Sequence, residues 1–223
     1  MHLGTKGSKA KEVARFLKQY TCENLILNGD IIDGWQLRKS GSWKRKHTRF
    51  FNRMLKMIEK DHTKVYYLRG NHDDFLDLIL PLQIGNLSIQ ADMIYESCGK
   101  KYFITHGDIF DSVTTNLRWI AYLGDLGYTF LLWLNRLVNH YRRKSGLPYY
   151  SLSQYVKGKV KSAVSYVDQY ESELAKMART KGCDGIICGH IHKAEIKMID
   201  GVLYCNDGDW VESLTALAEH ADG

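Results

Sequence analysis

Apolar positions recur along this chain in two rhythms. Short, nearly unbroken runs of apolar, β-branched or aromatic residues occupy Asn24 to Leu27, Lys64 to Leu68, Lys101 to Thr105, Gly185 to Cys188 and Val202 to Cys205. Each run closes on polar and glycine residues, the pattern of a buried strand ending in a loop. Between them, apolar residues return every third or fourth position: Val13, Phe16, Leu17 and Tyr20; Phe51, Met54, Leu55 and Ile58; Val167, Tyr170, Leu174 and Met177. That period predicts amphipathic helices burying those faces. Strands alternating with helices predict an α/β fold.

A third pattern occupies Ile120 to Val138. There Ile120, Leu123, Leu126, Leu131, Leu134, Leu137 and Val138 nearly encircle a helix, so the segment must be buried, partnered or in contact with lipid. Asp125, Asn135 and Arg136 interrupt it, leaving too few uncharged residues for the roughly 20 that a membrane-spanning helix needs.

The loops after the predicted strands carry the chemistry. Gly29-Asp30-Ile31-Ile32-Asp33, Gly70-Asn71-His72-Asp73, His106-Gly107-Asp108 and Gly189-His190-Ile191-His192 each follow a strand, and Met1-His2-Leu3-Gly4-Thr5 opens the chain. Polar donors from several loops would therefore gather at one edge of the sheet system. Carboxylate, amide and imidazole donors with no thiolate suit Mn²⁺, Fe²⁺, Zn²⁺ or similar ions. One Gly-Asn-His or one His-x-His alone is a weak signal, but four blocks in this order are a specific one. Asp207 and Asp209, beside Gly208 and Trp210, read as turn residues. Asp73, Asp74 and Asp108 read as partners of ligands or turn residues rather than ligands. His47, His62, His140 and His220 lie outside the blocks and read as surface histidines.

At these blocks the chain resembles the calcineurin-like metallophosphoesterases. The resemblance implies a β-sandwich flanked by helices. It also implies two divalent metal ions, with Mn²⁺ favoured and Fe²⁺ or Zn²⁺ as alternatives. Carried over residue by residue, Asp30 would bridge the two ions, His2 and His192 would bind the first, and Asn71, His106 and His190 the second. The pair would activate a water as nucleophile. His72 would stabilise or protonate the leaving oxygen, and Asp33 would orient its imidazole. The family's first block reads Asp-x-His; here only its histidine, His2, is present, and no residue precedes Met1 to supply the aspartate or the first core strand. The first metal site is thus expected to be weak or empty in this chain, and a start upstream of Met1 is favoured over a degenerate site.

Composition agrees with one globular domain, 1–223, carrying a helical cap insertion at about 112–165. The 223 residues are 44% hydrophobic and 25% charged, with two prolines and no repeat or linker. Five scattered cysteines read as buried apolar residues in a reducing compartment. No apolar leader follows a charged start, so the chain is expected in the cytoplasm. The net charge is +6. Between Ile109 and Lys161, eight Lys/Arg face two acids, and a second cluster comprises Arg38, Lys39, Lys44, Arg45, Lys46 and Arg49. Either is a solvated face or a contact for an anionic substrate or lipid surface. In the cap region, aromatic bulk precedes Arg142, Arg143 and Lys144, which fits either plain packing on the core or peripheral membrane contact.

The resemblance extends over the whole chain to the UDP-2,3-diacylglucosamine diphosphatases, in a branch with His72 where the better-known branch has arginine. It implies cleavage of the pyrophosphate in a UDP-linked acylated sugar, a lipid A precursor, at the inner membrane face. Arg118, Arg142, Arg143, Lys159 and Lys161 would meet that substrate. The alternatives are the same chemistry on another phosphodiester such as nucleic acid, or a non-catalytic binding protein depleted of metal.

Overall fold

The computed structural model describes residues 1–109, 137, 139–146 and 152–220, with the side chains of 152–165 outside that description. Within it, nine strands form two sheets. The first sheet contains β1 (Asn24–Asn28), β2 (Lys64–Leu68), β3 (Leu82–Ile84) and β4 (Leu87–Gln90) in the order β1-β2-β4-β3, with β1 and β2 parallel. The second contains β5 (Asp92–Ser97), β6 (Lys100–Thr105), β7 (Gly185–Cys188), β8 (Glu195–Ile199) and β9 (Val202–Asn206) in the order β5-β6-β7-β9-β8. Its inner strands β6, β7 and β9 run parallel, so the ends of β6 and β7 open into loops on one side. This is the α/β class expected. β1 is an edge strand, and Leu3 forms an isolated parallel bridge to Ile32 just beyond its end.

The five strands expected from their apolar runs are β1, β2, β6, β7 and β9. Four others carry a different code. β8 alternates partly buried and exposed positions, with Ile196 and Met198 pointing outward, and β5 alternates in the same way. A strand half in contact with solvent keeps no continuous apolar run to find.

Helix α1 (Ala10–Gln19) buries Ala10, Val13 and Leu17 in a core shared with the first sheet, with Phe16 partly buried; Tyr20, expected on the same face, follows the helix and is 60% exposed. Helix α2 (Gly34–Lys39) starts on Asp33, whose side chain accepts from the Gln36 backbone N–H. Helix α3 (Arg45–Lys60) bears out the expected face in part: Met54 is buried and Phe51 and Ile58 pack partly buried against the core, but Leu55 is 52% exposed, and His47, Phe50 and Met57 are buried as well. The buried stripe is turned slightly from the apolar one because a histidine belongs to it. His47 is fully buried, not at the surface; its Nδ1 accepts from the Lys44 backbone N–H at 3.2 Å. Burial, and then the Lys46 and Lys44 ammonium groups, push its pKa down and keep that lone pair available. Trp43 packs edge-on to the same ring.

Leu3, Leu27, Ile31, Val65, Tyr67 and Leu76 join these helices in one core. On the second sheet, Phe103, Ile104, Ile186, Val202 and Tyr204 are buried, as are Leu174, Ala175 and Ala178 of helix α4 (Leu152–Thr180). The chain divides into two compact units, Met1–Asp108 with Leu174–Gly223, and Ile109–Glu173. The described parts of the second unit are helical, at 139–144 and in α4 up to Glu173. The expectation for Ile120 to Val138 lies, Leu137 apart, outside the described residues. Of the cysteines, Cys183, Cys188 and Cys205 are buried and Cys22 partly so, but Cys98 is exposed at the β5–β6 turn.

Candidate metal centre

Where β1 ends, the chain turns through Gly29 at φ 73°, and a Cβ there would overlap the His106 imidazole. Only glycine lets the two loops approach so closely. The turn delivers Asp30, itself at φ 51°, into a buried position. Its Oδ2 lies 3.3 Å from His106 Nε2 and 3.5 Å from His2 Nε2, and its Oδ1 accepts from the His72 backbone N–H at 2.9 Å. One carboxylate thus stands between histidines from two different loops. His106 continues to His190, ring centroids 5.1 Å apart, and His2 to His192, with Nε2 atoms 3.3 Å apart. On this side Asp33 contacts two imidazoles, His72 Nδ1 at 3.0 Å and His2 Nδ1 at 3.4 Å.

The His106 orientation is fixed from behind: its Nδ1 is 3.0 Å from the Asn28 carbonyl, which can only accept. The ring therefore keeps its proton on Nδ1 and turns Nε2 towards Asp30. Burial opposes charge on both partners, yet each favours the other. Against that burial, His106, His2 and His72 hold the Asp30 carboxyl well below the ordinary carboxylate range, and Asp30 holds His106 up to about 9. Burial pushes His2 down more than the Asp33 contact raises it, which favours the neutral, ligating form. Asp33 is held low by His2, His72 and the Gln36 N–H despite its burial.

These residues fit a cation. Asp30 Oδ2, Asn71 Oδ1 and His106 Nε2 are buried with no aligned hydrogen-bond partner. Leaving such atoms unsatisfied costs about 1–3 kcal/mol each, a penalty that coordination removes. His2, Asp30 and His72 also offer one donor atom each, all within 4.8 Å of one another. His72, expected beyond the metals, is thus near enough to Asp30 and His2 to count among the donors. Thiolates do not compete: burial pushes the Cys22, Cys183, Cys188 and Cys205 thiols up, keeping them protonated.

Supporting residues surround the cluster. Asp73, fully buried, accepts from the Ile31 and Ile32 backbone N–H groups at 2.9 and 2.8 Å and from the Tyr67 hydroxyl at 2.9 Å. It ties the Asp30 loop to β2 and to the segment bearing Asn71 and His72. Arg69 joins Asp77 at 3.0 Å and Asp108, next to the His106 loop. Trp35 packs its ring 4.4 Å from the His72 ring and donates Nε1–H to Asp74. The Arg69 and Trp35 contacts are invisible to motif reading, because neither residue is a ligand type in a ligand block. Asp209 acts as a turn residue, accepting from the Val211 and Glu212 N–H groups at 2.6 Å each. Burial pushes Asp207 up to about 7.

Of the residues expected to meet substrate, Arg142 is partly exposed and Arg143 exposed, both in the second unit. Lys159 and Lys161 lie on α4 without described side chains, and Arg118 lies outside the described residues. No described helix is long and apolar enough to cross a membrane.

The model of the family described as calcineurin-like phosphoesterase matches residues 2–194. The UDP-2,3-diacylglucosamine hydrolase of Neisseria meningitidis serogroup B is 26% identical over 193 residues, 83% of this chain and 75% of that protein. Among solved structures, a single-substitution variant of Vps29 from Entamoeba histolytica is similar over 96% of this chain and 75% of its own, at TM-score 0.44 and 12% identity. Vacuolar protein sorting 29 from Cryptosporidium parvum is similar over 96% and 72%, at TM-score 0.40 and 15% identity. The family match runs from His2 to Ala194 and so spans every loop that contributes to the cluster, and the family works with divalent metal ions. The chain accordingly belongs to the calcineurin-like phosphoesterases and is a metal-dependent hydrolase of phosphoester bonds.

Proposed function

We propose that this hydrolase cleaves the pyrophosphate of a UDP-linked acylated sugar. The chemistry is supported by the placement of Asp30 between His106 and His2, with His72 on Asp33 beside them. The substrate class is supported by the likeness to the Neisseria hydrolase, whose name specifies a UDP-linked diacyl sugar. Asp30 would be shared by two ions, with His2 and His192 holding the first, the more weakly bound, and Asn71, His106 and His190 the second; Mn²⁺ would be the favoured ion. When bound, the ions supply Lewis-acid polarisation of the phosphoryl group and an acidified water.

The protein's own groups then have separate tasks. Asn28 and Asp30 hold the His106 ring, and Asp33 holds those of His2 and His72. His72, seated on Asp33, gives its proton to the departing phosphate oxygen. Trp35 packs against the His72 ring and limits its movement. The cap at about 112–165, with Arg118, Arg142, Arg143, Lys159 and Lys161, receives the nucleotide and acyl portions. The enzyme works in the cytoplasm at the inner membrane face.

The test is product analysis with Mn²⁺ present. Release of UMP from UDP-2,3-diacylglucosamine, with no cleavage of oligonucleotides, is the expected result. Cleavage of oligonucleotides alone would replace this substrate with nucleic acid.

A further inference from the structure

Between Asp33 and Glu59 the chain carries eight Lys/Arg and no acid. The fold lays this stretch along α2 and α3, starting at the candidate centre. Arg53 is neutralised by Asp61 at 3.6 Å, and Arg38 reaches Asp74 at 3.5 Å. Lys39, Lys44, Arg45, Arg49 and Lys56 have no carboxylate within ion-pair reach among the described residues. Lys46 is crowded further: burial lowers its pKa first, then Lys44, while Glu12 of α1 offsets part of this and Lys11 and Lys9 add to the repulsion.

Local energetics do not account for this arrangement. Lys44, Arg45 and Lys46 occupy the N-cap and first turn of α3, which holds no acidic residue. A helix N-terminus carries positive partial charge, so cations there oppose the dipole. Sequences break such local rules mainly where function compensates. Two tryptophans stand on the same stretch, Trp35 at 41% and Trp43 at 44% exposure, and Trp35 contacts His72. Cations interleaved with half-exposed indoles match an interface that is anionic outside and apolar beneath.

We infer that the α2–α3 surface, through Lys39, Trp43, Lys44, Arg45 and Arg49, docks the protein on an anionic lipid bilayer beside the candidate centre. The preference for a bilayer over nucleic acid rests on the acylated-sugar reading above, because a diacyl substrate resides in a membrane. Docking by this edge presents the centre to the headgroup layer, so the pyrophosphate needs no long excursion from the bilayer.

Co-sedimentation of the full chain with phosphatidylcholine vesicles, with and without phosphatidylglycerol, tests this. The wild type should pellet with the anionic vesicles only. Arg45→Glu/Arg49→Glu, which places acids where the helix dipole favours them, should weaken that binding by about tenfold or more, since each cation near such a surface contributes roughly a factor of five. Lys100→Glu/Lys101→Glu, the same charge change on β6, should bind as wild type. Unchanged hydrolysis of bis(p-nitrophenyl) phosphate with Mn²⁺ confirms that the α3 variant is folded. Equal binding to neutral vesicles, unchanged binding by the α3 variant, or equal loss in the β6 control overturns the proposal. So does retention by a single-stranded oligonucleotide without vesicle binding. If vesicle binding follows α3 while UDP-diacylglucosamine is not cleaved, the surface stands and the substrate reading falls.

Discussion

His2, Asp30, His190 and His192 all hold left-handed backbone, at φ 51°, 51°, 62° and 57°. For residues with a Cβ this costs about 1–3 kcal/mol each, and it persists only where the surroundings enforce it. Here the compensation is local: Asp30 is held by the His72 N–H and by its loop's bonds to Asp73. Asp33 adds a coupling that the motif alone does not suggest, since it touches both His2 and His72. His72→Ala should lower kcat for bis(p-nitrophenyl) phosphate by about 10²–10⁴-fold with Mn²⁺ affinity retained, as a proton donor requires; a matching loss of Mn²⁺ affinity would make it a ligand instead. Asp33→Asn should lower kcat and also weaken Mn²⁺ binding by about tenfold or more, because it releases His2 as well. Calorimetric titration alongside steady-state kinetics separates the two; unaltered Mn²⁺ affinity in Asp33→Asn would reduce its role to His72 alone. The ligand residues were legible because their types and order are chemically specific. Trp35 and His47 were not, since an indole or imidazole outside a ligand block looks like ordinary surface until its partners are known.

Elements reveal what periodicity can and cannot report. β1, β2, β6, β7 and β9 were readable because each carries a run of apolar, β-branched or aromatic residues, and their ends bear the ligand loops. β3, β4, β5 and β8 are short or half exposed: β3 and β4 carry Gln83 and Ser88 among their apolar residues, and β8 turns its apolar Ile196 and Met198 outward. On α3 the buried stripe is turned slightly from the apolar one: His47, polar yet fully buried, belongs to it, and Leu55 does not. Phe50→Ala should therefore destabilise the protein by about 3–5 kcal/mol. Leu55→Ala, at an exposed position, should change stability by no more than about 0.5 kcal/mol. Urea unfolding of the two variants decides between the observed and the expected face; similar losses would restore the apolar count.

At the scale of the molecule, the candidate centre is where loops of the two sheets meet. Asp30 follows β1 of the first sheet and His106 follows β6 of the second, while Arg69, at the end of β2, reaches Asp108. An ion held there joins both sheets and binds only the folded chain. Mn²⁺ at about 100 times its Kd should thus add about 2.7 kcal/mol of stability. That corresponds to a rise in Tm of roughly 5–10 °C for a chain of this size, reversed by a chelator. Differential scanning calorimetry reads it directly, and an unchanged Tm would mean that the buried donors do not take the ion. Asp73 bears on how quickly that ion would be captured. By bonding to Ile31, Ile32 and Tyr67 at once, it sets the donor loops in place before any ion arrives. Capture then waits on the ion shedding its own water rather than on the protein rearranging, so association should keep pace with the ion's intrinsic exchange rate.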